Sequence, residues 1–482
     1  MSEQWDLDAD VVIAGTGGAG LAAAIEARRA GATVLMLDCD ESFGGASVIS
    51  GGGCFMVNTP LQAQHGIEDS IEAAYEDWLA WGGDTVDREW ARVYIERSRP
   101  DLYDWFEAMG VRWTKLKRQE GNRVLRWHQS PGGGREVTTT LYDEARRLGV
   151  TRWLWRTAAD ELIMADGRVA GLAAHDLDSG ATLTIRARAV VMATGGFMSD
   201  EAMVYRHNPR LRGVPILLAA GSHATGSGHC LIERAGGLLT HMDAMWIYAY
   251  GTPDYRDPAG KRGILVREIR GSVWVNAQGR RFHNEGRQGP ATATPALLAQ
   301  SPPRAWAILD GPMIDGLELA HPSFRSGVTP DRALVRAYLE ASPFVHFAPT
   351  LPALAEAMRV PAETFVDTIE RYNTAIREGR SHDPDQQKPL AGMRPLDAPP
   401  FVAITFMPTT RKNLGGVKTT LRCEVVRPGG APIPGLYAAG ELAGMAGGHI
   451  NGARGLEGTM LGPAIFSGRV AGQWAARAAV SQ

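Results

Sequence analysis

Residues 11–40 read VVIAGTGGAGLAAAIEARRAGATVLMLDCD. The run "DVVIAG" that opens this stretch is short, apolar, β-branched and ended by glycine, the pattern of a buried parallel strand. "AGLAAAIEARRAGA" then predicts a helix closed by Gly31, and "TVLMLD" predicts a second strand. Gly15, Gly17 and Gly20 fill the spacing GxGxxG. The first glycine permits a tight turn, the second lets backbone approach a pyrophosphate, and the third lets helix and strand pack closely. The helix start at Gly18 and Ala19 offers N–H groups and the positive end of a dipole to phosphates. Asp38 ends the second strand, where a ribose hydroxyl needs an acceptor. A lone GxGxxG says little. Framed by strand, helix, strand and acid, it specifies a dinucleotide site. Nicotinamide and flavin dinucleotides share the motif, so this stretch alone leaves the two open.

Composition sets outer limits. The chain has 482 residues, enough for two domains or one large domain with an insert. Charged residues make up 21% and the net charge is −3, which gives no electrostatic case for nucleic acid as a partner. Cys39, Cys54, Cys230 and Cys423 lie far apart with no CxxC pair, so neither a metal site nor a disulfide framework is expected. The start of the chain, "MSEQWDLDADVV", lacks an apolar signal region, and no run of 18 apolar residues occurs. The expectation is a cytoplasmic protein without a membrane span.

Later segments choose the flavin. "ESFGGASVISGGG" is a second Gly/Ser-rich loop whose Gly44, Gly45, Ala46, Ser47 and Gly52 can lie against a ribityl chain and ring. "ARAVVMATGGF" is a strand ending at Ala193, Thr194 and Gly195, and "GLYAAGELAG" is another, ending at Gly440 and Glu441. "GLEGTMLGPAIFSGRVAGQWAARAA" reads as a glycine turn that opens a long helix, with Gly458, Met460 and Leu461 at its start. Together these motifs resemble the FAD-binding fold of the glutathione-reductase type. Their order resembles the fumarate reductase/succinate dehydrogenase flavoprotein superfamily, the branch that also holds 3-ketosteroid dehydrogenases.

The resemblance spans nearly the whole chain. It implies an α/β protein: a Rossmann-like FAD-binding domain in two segments, 1–240 and 408–482, around an inserted α+β capping domain, 241–407. Two features support an insert independently of the family. "VNAQGRRFHNE" predicts a strand–turn–strand hairpin, and "PALAEAMRVPAETFVDTIERYNTAIREG" is helical, with the Pro-rich "LAGMRPLDAPPFVAITF" as return linker. Covalent members of the family attach FAD through a histidine in the "FGGASV" loop, and none stands there, so the resemblance implies noncovalent FAD. Without a CxxCH haem motif or iron–sulfur cysteines, an external electron acceptor or donor is expected.

Enzymes of this branch move a hydride between flavin N5 and a carbon β to a carbonyl or carboxylate, while a protein acid or base handles the α proton. The small-molecule substrate implied is a ketone, a steroid or a carboxylic acid. In the family the proton-transfer residue follows the hairpin G-x-R-F-x-N-E by about four residues. Here "GRRFHNEGRQGP" puts Gly289 at that position, and Arg287 is the nearest titratable group. Arginine holds its proton tightly, so its alternative is an anion-binding or surface arginine. "MWIYAYGTPDY" replaces the His-Pro-Thr segment of fumarate reductases. Tyr248 and Tyr250 share one face of a strand and can donate to a carbonyl or accept an α proton; their alternative is packing. Glu268 and Arg270 stand near the family's proton relay, one residue closer together than its pattern.

"TTRKNLGGVKT" keeps only the glycines of a family substrate segment, with Arg411, Lys412 and Asn413 in place of two histidines and a threonine. In "GGHINGARGLEGTMLG" Arg454 falls at the carboxylate- or ketone-binding slot, preceded by His449 and Asn451. An arginine in such a turn gains a bidentate partner from a substrate oxygen. His128, before "PGGG", is a further candidate for lining flavin or substrate, against a surface histidine. The leading expectation is an FAD-dependent dehydrogenase that desaturates the bond beside a ketone or carboxylate. The rivals are a fumarate-reductase-type ene-reductase and a noncatalytic electron-transfer flavoprotein subunit.

Overall fold

The computed structural model describes residues 5–326 and 329–480. The chain divides into two compact units. The first takes the described residues within Met1–Pro209, Ala220–Met245 and Lys412–Gln482. Its main sheet runs in the order Glu424–Val426, Pro432–Ala438, Thr182–Met192, Leu7–Ala14, Val34–Leu37, Arg152–Leu154. Leu7–Ala14 pairs in parallel with Val34–Leu37 on one side and Thr182–Met192 on the other, and Pro432–Ala438 extends the parallel set. The register places Ala14 opposite both Leu37 and Met192, and Met192 opposite Ala438. Four strands therefore end together, and the turns at Gly15, Ala193–Gly195 and Gly440 begin where three of them stop.

The expected strand–helix–strand opening forms as Leu7–Ala14, Gly18–Arg29 and Val34–Leu37. Gly18 through Ala27 are buried, and Arg28 and Arg29 occupy the last turn, where they oppose the carbonyl end of the dipole. The glycine-opened helix is Leu461–Val480. It lies directly against Gly18–Arg29: a Cβ at Gly468 would fall 2.1 Å from the Ala19 carbonyl oxygen, and one at Gly472 would fall 2.2 Å from that of Ala23. Two glycines one turn apart thus let the two backbones touch. Arg469, between them, donates to Glu26 at 3.0 Å and to Asp101 at 3.0 Å, a buried tie across the same contact.

The second unit comprises the described residues of Arg210–Ala219 and Trp246–Arg411. Its sheet is ordered Val273–Val275, Ala305–Asp310, Phe401–Asn413, Met245–Pro253, Gly263–Arg267, Glu318–Leu319. Alternation along the strands divides its core into two layers. Val273, Val275, Trp306 and Ile308 pack with Leu354, Phe365 and Ile369 of the helices Leu351–Met358 and Ala362–Arg377. Trp274, Ala307 and Leu309 face Val335 and Leu339 of Arg332–Ala341.

Several expectations change in detail. The second unit begins at Trp246 and ends at Arg411, not 241 and 407, and it also takes 210–219. That excursion has a cause: Leu217 and Leu218 pair in parallel with Thr409 and Thr410. The expected hairpin forms only its first strand, with a single bridge from Val275 to Arg281, whose side chain pairs with buried acids. The helical stretch is two helices, broken at Arg359, which has φ +58°, and Pro361. The return linker ends inside a 13-residue strand, Phe401–Asn413. Among the described residues no helix is long and apolar enough to cross a membrane.

Candidate functional site

At the carboxyl ends of the first unit's strands, backbone bonds stitch the motifs together. Gly15 N–H donates to Leu37 at 2.8 Å, Ala193 N–H to Ala14 at 2.8 Å, and Ala439 N–H to Met192 at 3.0 Å. Two glycines of the first turn serve protein contacts. Gly15 has φ +104° and lies against Ala193, and a Cβ at Gly20 would fall 1.9 Å from the Gly15 carbonyl oxygen. Gly17 differs, since the nearest atoms to its Cβ position are 3.9 Å away. It is also the N-cap of Gly18–Arg29 and has no side chain of its own to cap the helix. Ser47 Oγ accepts from the Gly18 N–H at 3.1 Å. The rest of the first turn keeps its donors for an anion, beside backbone that a ligand can approach closely. These features fit a dinucleotide pyrophosphate.

Asp38 is fixed from inside the same turn. Its Oδ2 accepts from both the backbone N–H and the hydroxyl of Thr16 at 2.6 Å, and its Oδ1 accepts from the Asp40 N–H at 3.0 Å. A carboxylate has about four acceptor sites, so the three bonds to backbone and Thr16 do not exhaust it. The second loop is joined to the first through Gly44 N–H to Thr16 O at 3.0 Å, with Gly45–Val48 as a single helical turn and Gly45 and Ala46 exposed. Gly52 sits against Gly133. Gly458 accepts from the Phe55 N–H at 2.9 Å, and Met460 and Leu461 are buried.

Two side chains that carried no cofactor role in the sequence organise the far side. Asn413 Nδ2 donates to Gly415 O at 2.7 Å and Glu441 O at 2.8 Å, and its Oδ1 accepts from Phe197 N–H at 3.3 Å. A Cβ at Gly196 would fall 2.2 Å from Glu441 Oε1. Ser467 Oγ accepts from the Gly440 N–H at 3.0 Å and donates to Met445 O at 2.7 Å, which binds the last helix to the Gly440–Glu441 turn. Asn413 showed in the sequence only as a substituted histidine or threonine, and Ser467 gave no signal.

The expected substrate residues of this unit divide. Arg454 is exposed. Asn451 is buried; its Nδ2 donates to Thr459 O at 3.1 Å, while its Oδ1 has no partner. His449 is buried, with Nδ1 at Leu414 O (3.2 Å) and Nε2 at Thr85 Oγ1 (3.3 Å), and it stacks on His241 at 4.1 Å. Burial, and then the neighbouring His241, push it down to about 4. His128 is neither a surface residue nor a lining one. It is fully buried, with Nδ1 on Arg126 O at 2.8 Å and Nε2 on Thr59 Oγ1 at 2.7 Å, so no ring nitrogen is left for a substrate. Burial holds it neutral, at about 4. The strand beneath it is anchored by Arg126, buried between Asp69 (2.7 Å) and Asp77 (2.5 Å).

In the second unit Tyr248 is buried and Tyr250 half-buried, with ring centroids 4.9 Å apart on one face of Met245–Pro253. Arg411 donates to the Ala219 carbonyl. Glu268 and Arg270 are both exposed on either side of the buried Ile269. Arg287 is exposed, and its carbonyl accepts from His283 Nε2 at 2.6 Å and Thr292 Oγ1 at 3.1 Å.

The loop that carries Arg287 rises from a buried ionic cluster. Arg281 is bidentate to Glu285 (2.9 and 2.6 Å) and also paired with Asp383. Glu285 Oε1 accepts from the Trp274 N–H at 2.9 Å. Lys388 Nζ donates to Ser272 O at 2.6 Å and lies 3.8 Å from Glu285. Burial lowers Lys388 to about 8, with Glu285 and Asp383 opposing the shift. Asn284 Nδ2, at the base of the loop, donates to Gln387 O at 2.9 Å.

A family model described as FAD binding domain matches residues 10–461. The chain is 31% identical to a KsdD-like steroid dehydrogenase of Mycobacterium tuberculosis, covering 98% of this chain and 97% of that protein. It is 31% identical to the fumarate reductase (cytochrome) of Shewanella frigidimarina, covering 97% of this chain and 77% of the other. Among solved structures it is similar to a 3-ketosteroid-Δ4-(5α)-dehydrogenase from Rhodococcus jostii in complex with 4-androstene-3,17-dione. The TM-score is 0.74 and the identity 30%, over 99% of this chain and 98% of that one.

Proposed function

The chain belongs to the FAD binding domain family, and on that premise we propose that it is a dehydrogenase that introduces a C=C bond α,β to a ketone or carboxylate. It is an FAD-dependent oxidoreductase of the group that includes steroid dehydrogenases and fumarate reductases. The relative matched over nearly its whole length, 97% of it at 31% identity, is a steroid dehydrogenase, and that match supports the dehydrogenase reading. The first unit serves as a Rossmann-like FAD-binding domain and the second as the inserted substrate domain.

FAD is held without a covalent bond. Gly17, Gly18, Ala19 and the helix start take the pyrophosphate, and Asp38 takes the ribose. Gly44–Ser47, Gly52, Ala193–Gly195, Gly440–Glu441 and Gly458–Leu461 take the remainder. Bound FAD supplies the acceptor for the hydride that leaves the β carbon. The side chains manage the proton and the oxygen. Tyr248 or Tyr250 removes the α proton, which becomes acidic only as charge on the carbonyl oxygen is stabilised. Arg454 is the donor to that oxygen. His449 and Asn451 hold its turn in place, and Arg411 binds the substrate.

Arg287 carries the reverse reading, an ene-reductase that protonates the α carbon, because it is the titratable side chain nearest the family's proton-transfer position. An anaerobic bleaching panel of steroids, cyclohexanone-type ketones and dicarboxylates tests both. Flavin bleached by a saturated ketone or acid supports the dehydrogenase. Reoxidation of prereduced enzyme by unsaturated acids, with no bleaching in the panel, replaces it by the reductase.

A further inference from the structure

The first unit carries a charged strip that the proposed chemistry does not use. Arg112, Lys115, Lys117 and Arg118 are all exposed. Lys115–Lys117 is an edge strand of a three-stranded sheet ordered Cys54–Phe55, Trp127–Gln129, Lys115–Lys117. Arg112 donates to the backbone carbonyls of Glu107 (3.0 Å) and Val111 (3.1 Å), and Arg118 to that of Arg123 (3.0 Å). Lys117 Nζ lies 5.0 Å above the Trp127 ring. Nearby Arg123 differs, because it pairs with Glu76 at 2.8 Å and Asp77 at 2.6 Å. Among the described residues these four cations form no ion pair with a carboxylate, on a protein whose net charge is −3.

The strip also reaches inward. Trp127 is half-buried, and a Cβ at Gly53 would fall 1.8 Å from its Cε2, one at Gly458 3.0 Å from its Cδ1. The indole under Lys117 therefore touches the two glycine turns given to the flavin. We propose that the strip Arg112–Arg118 is the docking surface of an acidic one-electron carrier protein, with Trp127 as the contact between that surface and the flavin turns. This rests on the reading that FAD lies on the Gly52 and Gly458 turns and that electrons leave to an external carrier. Each desaturation converts CH–CH to C=C and releases two electrons and two protons. Two oxidised carriers take one electron each, and the protons pass to solvent. Alternation along the strand points Lys115 and Lys117 to one side about 7 Å apart, a spacing suited to the surface of a folded acidic partner rather than to one small anion. Such a patch steers an oppositely charged protein and loses its effect as salt screens it.

The test uses the FAD-loaded protein without substrate. Reduced plant-type [2Fe–2S] ferredoxin, an acidic carrier, is mixed anaerobically with oxidised enzyme, and flavin reduction is followed by stopped flow. The second-order rate is expected to fall about tenfold or more between 20 and 500 mM salt. K115E/K117E/R118E should lower the low-salt rate by about tenfold or more and flatten the salt dependence. The milder K115Q/K117Q should fall between the two, while FAD content and reduction by dithionite stay at wild-type values. A salt-independent wild-type rate, or unchanged rates in the variants, overturns the proposal and leaves the lysines as guards of an exposed sheet edge. Because no substrate enters, a failed bleaching panel with an intact ferredoxin result sinks the dehydrogenase reading and spares the docking surface.

Discussion

The two units bury difficult groups by opposite means. In the first, the cofactor turns are closed by backbone against backbone: Gly15 on Ala193, Gly20 on Gly15, Gly468 on Ala19. In the second, the loop carrying Arg287 rests on two cations and two acids, Arg281, Lys388, Glu285 and Asp383, all almost wholly buried. Backbone contacts of that closeness tolerate no side chain whatever its charge. An ionic cluster tolerates shape changes but not an unmatched charge. Substitutions that exploit this difference rank accordingly.

Gly20→Val should have the largest effect. Its Cβ would sit 1.9 Å from the Gly15 carbonyl oxygen at the start of the same turn, with nothing flexible to yield. The expected outcome is loss of more than about 4 kcal/mol and no flavin absorbance in the purified protein, read by spectrum and thermal melt. Retained FAD would break the backbone half of the comparison.

Arg281→Met comes next. It leaves Glu285 and Asp383 facing each other with only Lys388, at a cost of about 3–5 kcal/mol, while FAD content stays normal. Replacing Arg281 and Glu285 together by apolar residues of similar volume should recover part of that loss. A single variant as stable as wild type would show that the cluster is dispensable.

The same contrast explains what the sequence disclosed. Gly15, Gly17, Gly20 and Asp38 act within one strand–helix–strand unit, so their spacing carries their role. The cluster joins Arg281 to Asp383 across 102 positions, and no local pattern marks such a pair. The share of 210–219 in the second unit leaves no mark in the sequence for a similar reason. Leu217 and Leu218 join the second unit through a two-residue parallel pairing, too short to leave periodicity. Beside "PGGG" His128 reads as a loop residue, but its partner Thr59 lies 69 positions earlier.

His128 sharpens the comparison through pH. Burial lowers it from 6.5 to about 4, so the native ring is neutral. Between those values the unfolded chain binds a proton that the native one does not. Stability therefore falls as pH drops from 6.5 towards 4, by about 3 kcal/mol for a shift of that size. His449 shifts in the same direction. His128→Gln should lose less stability over that window than wild type, seen as a shallower slope of melting temperature against pH. Equal slopes would mean that the ring is already charged or solvated in the native protein.

Arg454→Ala should cost least in stability and most in selectivity. The side chain is exposed, so removing it should move stability by no more than about 0.5 kcal/mol and leave FAD content unchanged. If its guanidinium holds the substrate oxygen, kcat/KM should fall by about tenfold or more, roughly 1.4 kcal/mol of binding in the transition state. Arg454→Lys should recover only part of this, because an ammonium cannot reproduce a bidentate fork. The contrast with Gly20, whose loss empties the protein of flavin, then separates residues that build the cradle from one that serves only the reaction. Unchanged kcat/KM in Arg454→Ala would remove the anchor and move the search for the oxygen donor to Tyr248 and Tyr250.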